Sequence, residues 1–352
     1  MNNGIKTIAI IAGIMVALGL ILAAVGFLAG GNQDIQFGKG GFSLGNKTNG
    51  FFSGKMEVIN EGLDPFKNID IDLSIYDVDL IPSDKYALEC TYDSEYGKPS
   101  FKVENDTLTI TENNKNGINF NIHIFDFNFS NRENQGIAVK IYYPSSTTFG
   151  KVGINCNAAD LSFEKLNAEE MTFHLDFGKL ELQEMAATKV VVKMNSGDCK
   201  IKNIKGEDLR ISNSFGKTEV VDAELKILVI DANSGDVSVT DTIAERGDLS
   251  LDFGRLSSKN FKTKSLKVES NSGDVDLQGT FLGDTDVQCD MGKITVDTDV
   301  PKDQYSYELN VNMGSVYIGG DKMSTVTSGN NAGASNKLKL DANMGDIKVS
   351  FK

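Results

Sequence analysis

The chain has no tryptophan, two histidines (His123 and His174) and five prolines in 352 residues, and its 35 Lys and Arg are outnumbered by 49 Asp and Glu. So little histidine removes the raw material for most histidine-dependent hydrolase and metalloenzyme schemes. Few prolines beside 35 glycines exclude collagen-like and low-complexity sequence and point instead to strands and turns. The formal charge of −14 argues against nucleic acid as a partner, because neutralising phosphates needs clustered Lys and Arg. It also disfavours adsorption to anionic lipid or polymer unless divalent cations bridge. What is present suffices for a core: 40% of residues are apolar, and the length fits two average domains or one all-β unit.

Residues 7–30, TIAIIAGIMVALGLILAAVGFLAG, run for 24 positions without a charge. A membrane span needs about 20 such residues, more than a secretory signal core, and no A-x-A cleavage site follows. The expectation is an uncleaved signal anchor and a single-pass cell-membrane protein, with residues 1–6 as a cytoplasmic tail and the bulk of the chain extracytoplasmic. Lys6 is the only charged side chain ahead of the run, and it orients the span this way. Residues 31–56, rich in Gly and Asn without a sustained period, read as a flexible tether.

A repeat dominates the remainder. Aligned on one small residue, the motifs NAAD, DFGK, NSGD, SFGK, NSGD, DFGR, NSGD and DMGK place Ala159, Gly178, Gly197, Gly216, Gly235, Gly254, Gly273 and Gly292 at a constant step of 19 residues. Gly314 and Gly345 follow after 22 and 31 residues. A fixed period near 20 is the signature of a solenoid. Positions −7, −5 and −3 from the glycine are apolar, as in Leu228, Ile230 and Ala232, and so are +2 and +4, as in Val237 and Val239. Alternation with period 2 on each side marks two short strands, and the odd jump between them requires a corner at the glycine. The fold class expected is therefore all-β, a β-solenoid of two-strand repeats over residues 151–352 preceded by one transmembrane helix.

Three polar or alternating columns accompany the core. Position −2 carries Asn, Asp or Ser, suited to Asx turns and stacked amide ladders. Position +1 alternates in sign from Asp160 through Lys179, Asp198, Lys217, Asp236, Arg255 and Asp274 to Lys293, while −1 alternates Phe with Ser from Phe177 to Ser272. The genetic repeat is thus 38 residues. If 19 residues make one turn, unlike charges stack; a 38-residue turn would instead stack like on like, each such pairing mildly unfavourable. The charge column favours the shorter turn.

Upstream, the template fits once more with Tyr76 in the glycine place. Residues 57–150 read as an N-terminal β region, with an aromatic insertion at 113–136 that serves either as a partner-binding or membrane-facing hairpin or as a cap on the open end of the solenoid. The order IDIDLSIYDVDLIPSD, KVENDTLTITEN, IYYPSS and serial SGDV corners resembles the bacterial putative-adhesin domain family over residues 69–352. That resemblance implies strand-repeat surface proteins, often anchored in the membrane of Gram-positive bacteria and of undefined function; it supplies no catalytic or ligand residues to carry over. Tyr76, Ala159 and the aromatic insertion depart from the family pattern.

No catalytic, cofactor-binding or metal constellation emerges. Cys156 and Cys289 at −3 and Cys199 at +2 fall on inward columns and read as small buried hydrophobes; Cys90 completes the four, and no pair has zinc spacing. NSGDV resembles calcium-binding nonapeptide rolls, but Lys or Arg replaces the acid in alternate units. His174 sits at −4 on an outward face without a partner that would make it a base. The function expected is a non-enzymatic surface scaffold or adhesin-like binding module of the bacterial envelope, in contact with the membrane and with an envelope protein or surface ligand. The alternative is an accessory of an envelope-stress signalling system that acts on a neighbouring membrane protein. A hydrolase on a β-helical scaffold would need a groove of acids, which the alternating +1 column does not supply.

Overall fold

The structure, a computed structural model, describes residues 55–112, 136–331 and 333–352, and the backbone alone of the strands Asp34–Gly38, Gly41–Gly45 and Asn121–Ile122. Residues 7–30 lie outside this description, as does almost all of the aromatic insertion. Two units are distinguished. The smaller contains a hairpin, Asp34–Gly38 on Gly41–Gly45 with Phe37 opposite Phe42, flanked by Asn121–Ile122. Part of the segment read as a flexible tether is thus a hairpin, for which the alternation Ile35, Phe37, Phe42, Leu44 around Lys39-Gly40 is the signal.

The larger unit, residues 56–113 and 133–352, is all-β and solenoid-like. Successive strands stack in parallel with Leu180 opposite Cys199, Cys199 opposite Thr218 and Val237 opposite Leu256, each offset by 19 residues. One unit is therefore one rung, the arrangement that the charge column favours and that the Phe/Ser alternation alone does not indicate. The expected core is in place: Ile230, Val237 and Val239 are buried, as are their counterparts Met171, Phe173, Leu175, Val275, Leu277, Ile294 and Val296. Asp231 is exposed and Ser238 half-buried.

Each rung also holds a third inward run, which a two-strand repeat omits. Positions +7 and +9 are buried in Leu166 and Ala168, Met185 and Ala187, and Ala223 and Leu225. They are turned inward by a second corner at +6, where Lys165, Glu184, Asn203, Asp222, Asp241 and Asn260 adopt φ of 49 to 59°. A left-handed residue resets the alternation, so the apolar period is lost across it. Asn and Asp tolerate this conformation, but Lys165 and Glu184 hide the column in sequence.

The glycine corners are obligatory for two reasons. Gly197 has φ of 139°, and a Cβ there would collide with the carbonyl oxygen of Gly178 one rung away. Gly273 stands in the same relation to Gly254. The other column glycines share this backbone. Ala159 does not: it is buried and outside the left-handed region, although its N–H donates to the Phe177 carbonyl at 3.1 Å as the column glycines do to the next rung. Ala159 is a repeat position, but not a corner of the glycine kind.

Both ends depart from simple succession. The rung of Tyr76 packs directly on that of Ala159, with Ile71 opposite Ile154 and Val78 opposite Leu161. Most of the interruption folds outward as a further rung, Leu108 beside Ile69 and Val139 beside Val78. Antiparallel strands Ser100–Glu104, Ala87–Asp93 and Met56–Gly62 cover its edges. No boundary exists at residue 150, because Phe149–Ala158 pairs with Asn68–Leu73 on one side and Asn167–Phe177 on the other. At the far end the last repeat is inserted out of order. Asn336–Met344 lies between Val275–Met291 and Tyr305–Met313, so the rung of Gly345 separates those of Gly292 and Gly314. Short antiparallel strands Val326–Gly329 and Asp321–Met323 then close the edge.

Candidate functional site

The corner at the glycine column is where the side chains depart from a plain solenoid. The +1 carboxylates serve the backbone of the next rung: Lys179 N–H donates to Asp160 Oδ1 at 2.9 Å, Lys217 N–H to Asp198 at 2.9 Å, Arg255 N–H to Asp236 at 3.0 Å and Lys293 N–H to Asp274 at 3.0 Å. The acidic side chain supplies the acceptor and the backbone of the next rung the N–H, a bond that Asp160 and Ser315 also make to Asp77 and Asp346, so it accounts for the recurring Asp but not for the Lys or Arg between. The Lys217 ammonium is held above its ordinary pKa by its hydrogen bond to Glu219, with Asp198 and Asp236 adding to the effect. At −2, stacked amides donate to carboxylates, Asn271 to Asp252 at 2.6 Å and Asn343 to Asp290 at 2.7 Å, and Asn312 donates to Asn343 at 2.7 Å. These bonds fix each rung on its neighbour and hold the corner rigid.

Position −1, between these two columns, is turned to solvent. Phe177, Phe215 and Phe253 are 52%, 59% and 60% exposed, and Met291, Met344 and Met313 extend the line. The registers Phe177 to Ser196, Ser196 to Phe215, Ser272 to Met291, Met291 to Met344 and Met344 to Met313 make this one continuous column. Rungs rise by about 4.8 Å, so the phenylalanines recur every ~9.6 Å with a serine between them. Exposed aromatics aligned along one edge differ from apolar residues scattered singly over a surface. The Phe/Ser alternation is visible in sequence, but beside a corner its direction is not: −1 lies in the odd interval between two inward runs and could face either way.

All four cysteines are free and buried; burial pushes Cys90 up to about 11 and Cys156 and Cys199 up to about 12, far from thiolate reactivity. His174 is exposed on the outer face, and His123 lies outside the described residues. Tyr76, in the glycine place, is buried, and its hydroxyl donates to the Gly97 carbonyl at 2.9 Å. Tyr96 donates to Glu112 at 3.0 Å, and burial raises the pKa of both phenols. Among the described residues no group of three or more His, Cys, Asp or Glu is placed to hold a metal ion.

Solved structures align with most of the chain at low identity. A putative adhesin from Parabacteroides merdae is 14% identical over 86% of this chain and 98% of its own, with a TM-score of 0.41. A putative adhesin from Bacteroides fragilis is 12% identical over 85% and 98%, with a TM-score of 0.32. A protein described as a putative lipid binding protein from Parabacteroides distasonis is 14% identical over 86% and 98%, also at 0.32. No curated protein matches. The family model described as Toastrack DUF4097 matches twice, over residues 66–242 and 207–352, and so spans the whole stack of rungs. This chain belongs to the Toastrack DUF4097 family.

Proposed function

We propose that the protein is a non-enzymatic, membrane-anchored scaffold of the bacterial envelope whose corner stripe is its binding face. The observation that carries this reading is the column of Phe177, Phe215 and Phe253, each more than half exposed on a hydrogen-bonded edge. A soluble protein gains nothing in stability from aligned exposed rings, whereas aromatic side chains at a rigid surface are the usual anchors of recognition. The uncharged run at residues 7–30 supports the anchor; among the described residues no helix is long and apolar enough to cross a membrane. Two measurements test the proposal. Protease added to intact protoplasts is expected to digest the stack and leave a membrane-embedded stub; a protected stack rejects the anchoring. The full chain is expected to bind isolated envelope fractions, and Phe215→Ser/Phe253→Ser to lose most of that binding at unchanged melting temperature; equal binding by both rejects the stripe.

A further inference from the structure

The corner stripe is complementary to itself, and from this we infer that it binds a second copy of this chain. The inference rests on the stripe being a binding face and names its occupant. The two copies run antiparallel about a two-fold axis that lies in the contact plane, crosses the stack at right angles and passes between the rungs of Gly216 and Gly235. In that arrangement Phe215 meets the second copy's Ser234, Phe253 meets Ser196 and Phe177 meets Ser272. Each ring enters the gap above a serine. Because the gap between successive phenylalanines is ~9.6 Å, an interleaved ring sits about 4.8 Å from a ring on either side, inside the range of favourable aromatic pairs.

The charges match at the same setting. Lys179 meets the second copy's Asp274, Lys217 meets Asp236, Arg255 meets Asp198 and, at the margins, Lys293 meets Asp160; every pair is of opposite sign. The match follows from the sequence, since each phenylalanine rung carries Lys or Arg at +1 and each serine rung carries Asp. A parallel copy in register would set ring against ring at every second rung. An occupant carrying one sign of charge, such as an anionic lipid surface, meets Asp198, Asp236 and Asp274 at every second step. The antiparallel copy on this axis satisfies both alternations in a closed pair, whereas a parallel copy offset by one rung would match them only in an open contact that does not close.

Two differently tagged full-length variants test the pairing, one with Phe177→Cys and one with Ser272→Cys. Within a chain these positions are five rungs, about 24 Å, apart, and the native cysteines are buried. Mild oxidation of the mixture is expected to give a disulfide between the two variants and little product from either alone. Adding Phe215→Ser/Phe253→Ser to both is expected to lower the yield about tenfold, which corresponds to about 1.4 kcal/mol. No cross-linked product in the mixture, or equal product from each variant alone, overturns the inference. If no product forms while the phenylalanine variant still loses envelope binding, the stripe has another occupant and only the second copy is wrong. If product forms and envelope binding is indifferent to the phenylalanines, the self-pairing stands and the envelope reading fails.

Discussion

At the scale of single residues, the inward and outward columns make opposite demands. Val239 is fully buried, so Val239→Asp strands an unpaired carboxylate and is expected to cost about 3–5 kcal/mol. Ser238 lies beside Glu219 of the preceding rung, so Ser238→Lys should change stability by no more than about 0.5 kcal/mol; equal urea midpoints for the two variants would reject the register. The glycines separate conformational strain from collision. Gly320 has φ of 95° with open space around its Cα, and Gly320→Ala should cost about 1 kcal/mol. Gly235, at φ of 135°, would also drive its Cβ into the Gly216 carbonyl, so Gly235→Ala should cost at least about 3 kcal/mol. The thiols add a pH dependence. Desolvation raises Cys199 to about 12, with Asp198 contributing, so the folded chain keeps a proton that the unfolded chain releases. That stability is complete below about pH 9 and falls as pH rises toward 12, by up to about 1.4 kcal/mol per pH unit. Cys199→Ala is expected to show a smaller drop in urea midpoint between pH 8 and 10 than the parent; an equal drop would place the thiol in solvent.

At the scale of elements, what sequence reveals depends on whether an element repeats. Val237, Val239 and Ile230 recur in register, so their burial and the glycine corner are legible from period alone, whereas a 19-residue rung is favoured over a 38-residue one only by the alternating charges at +1. The corner at +6 is not, because its left-handed residues range from Asn203 to Glu184 and carry no single chemical mark. Chain order at the end is also hidden: Gly314 and Gly345 follow in sequence, yet nothing local states that the later strand enters first. That insertion is open to test. A chain ending at Gly333 lacks Asn336–Met344 and Ile347–Phe351, which lie between the rungs of Gly292 and Gly314. Tyr305–Met313 would then lose its parallel partner and keep only Val326–Gly329 on its other edge, so its amides are expected to exchange far faster than in the parent while Cys199–Phe215 stays protected. Retained protection of Tyr305–Met313 would mean that the rungs stack in chain order. Whether the stripe could be read in advance has a similar answer: the alternation of Phe177, Ser196 and Phe215 is plain, but its outward direction emerges only once both corners are placed.

At the scale of the whole molecule, the larger unit is a quasi-one-dimensional stack whose stability is a sum of rungs and rung-to-rung interfaces. Identical rungs would make every deletion of whole rungs equally costly per rung. These rungs are not identical, because Asp160, Asp198, Asp236 and Asp274 at +1 each accept the N–H of the basic residue on the next rung. Deleting 38 residues, 198–235, joins Gly197 to Asp236, recreates NSGD and keeps Lys179, Asp236 and Arg255 in alternation. Deleting 19 residues, 198–216, joins Gly197 to Lys217 instead; Lys217 then stacks on Lys179, and its N–H has no carboxylate acceptor on the rung before. The shorter deletion should therefore cost more than half of what the longer one costs. The excess is about 1 kcal/mol, the scale of one missing hydrogen bond together with the repulsion between two stacked lysines. Urea unfolding of the two deletion chains and the parent measures this directly. A longer deletion that costs twice the shorter one would show that the rungs are energetically equivalent and that the two-rung alternation carries no coupling.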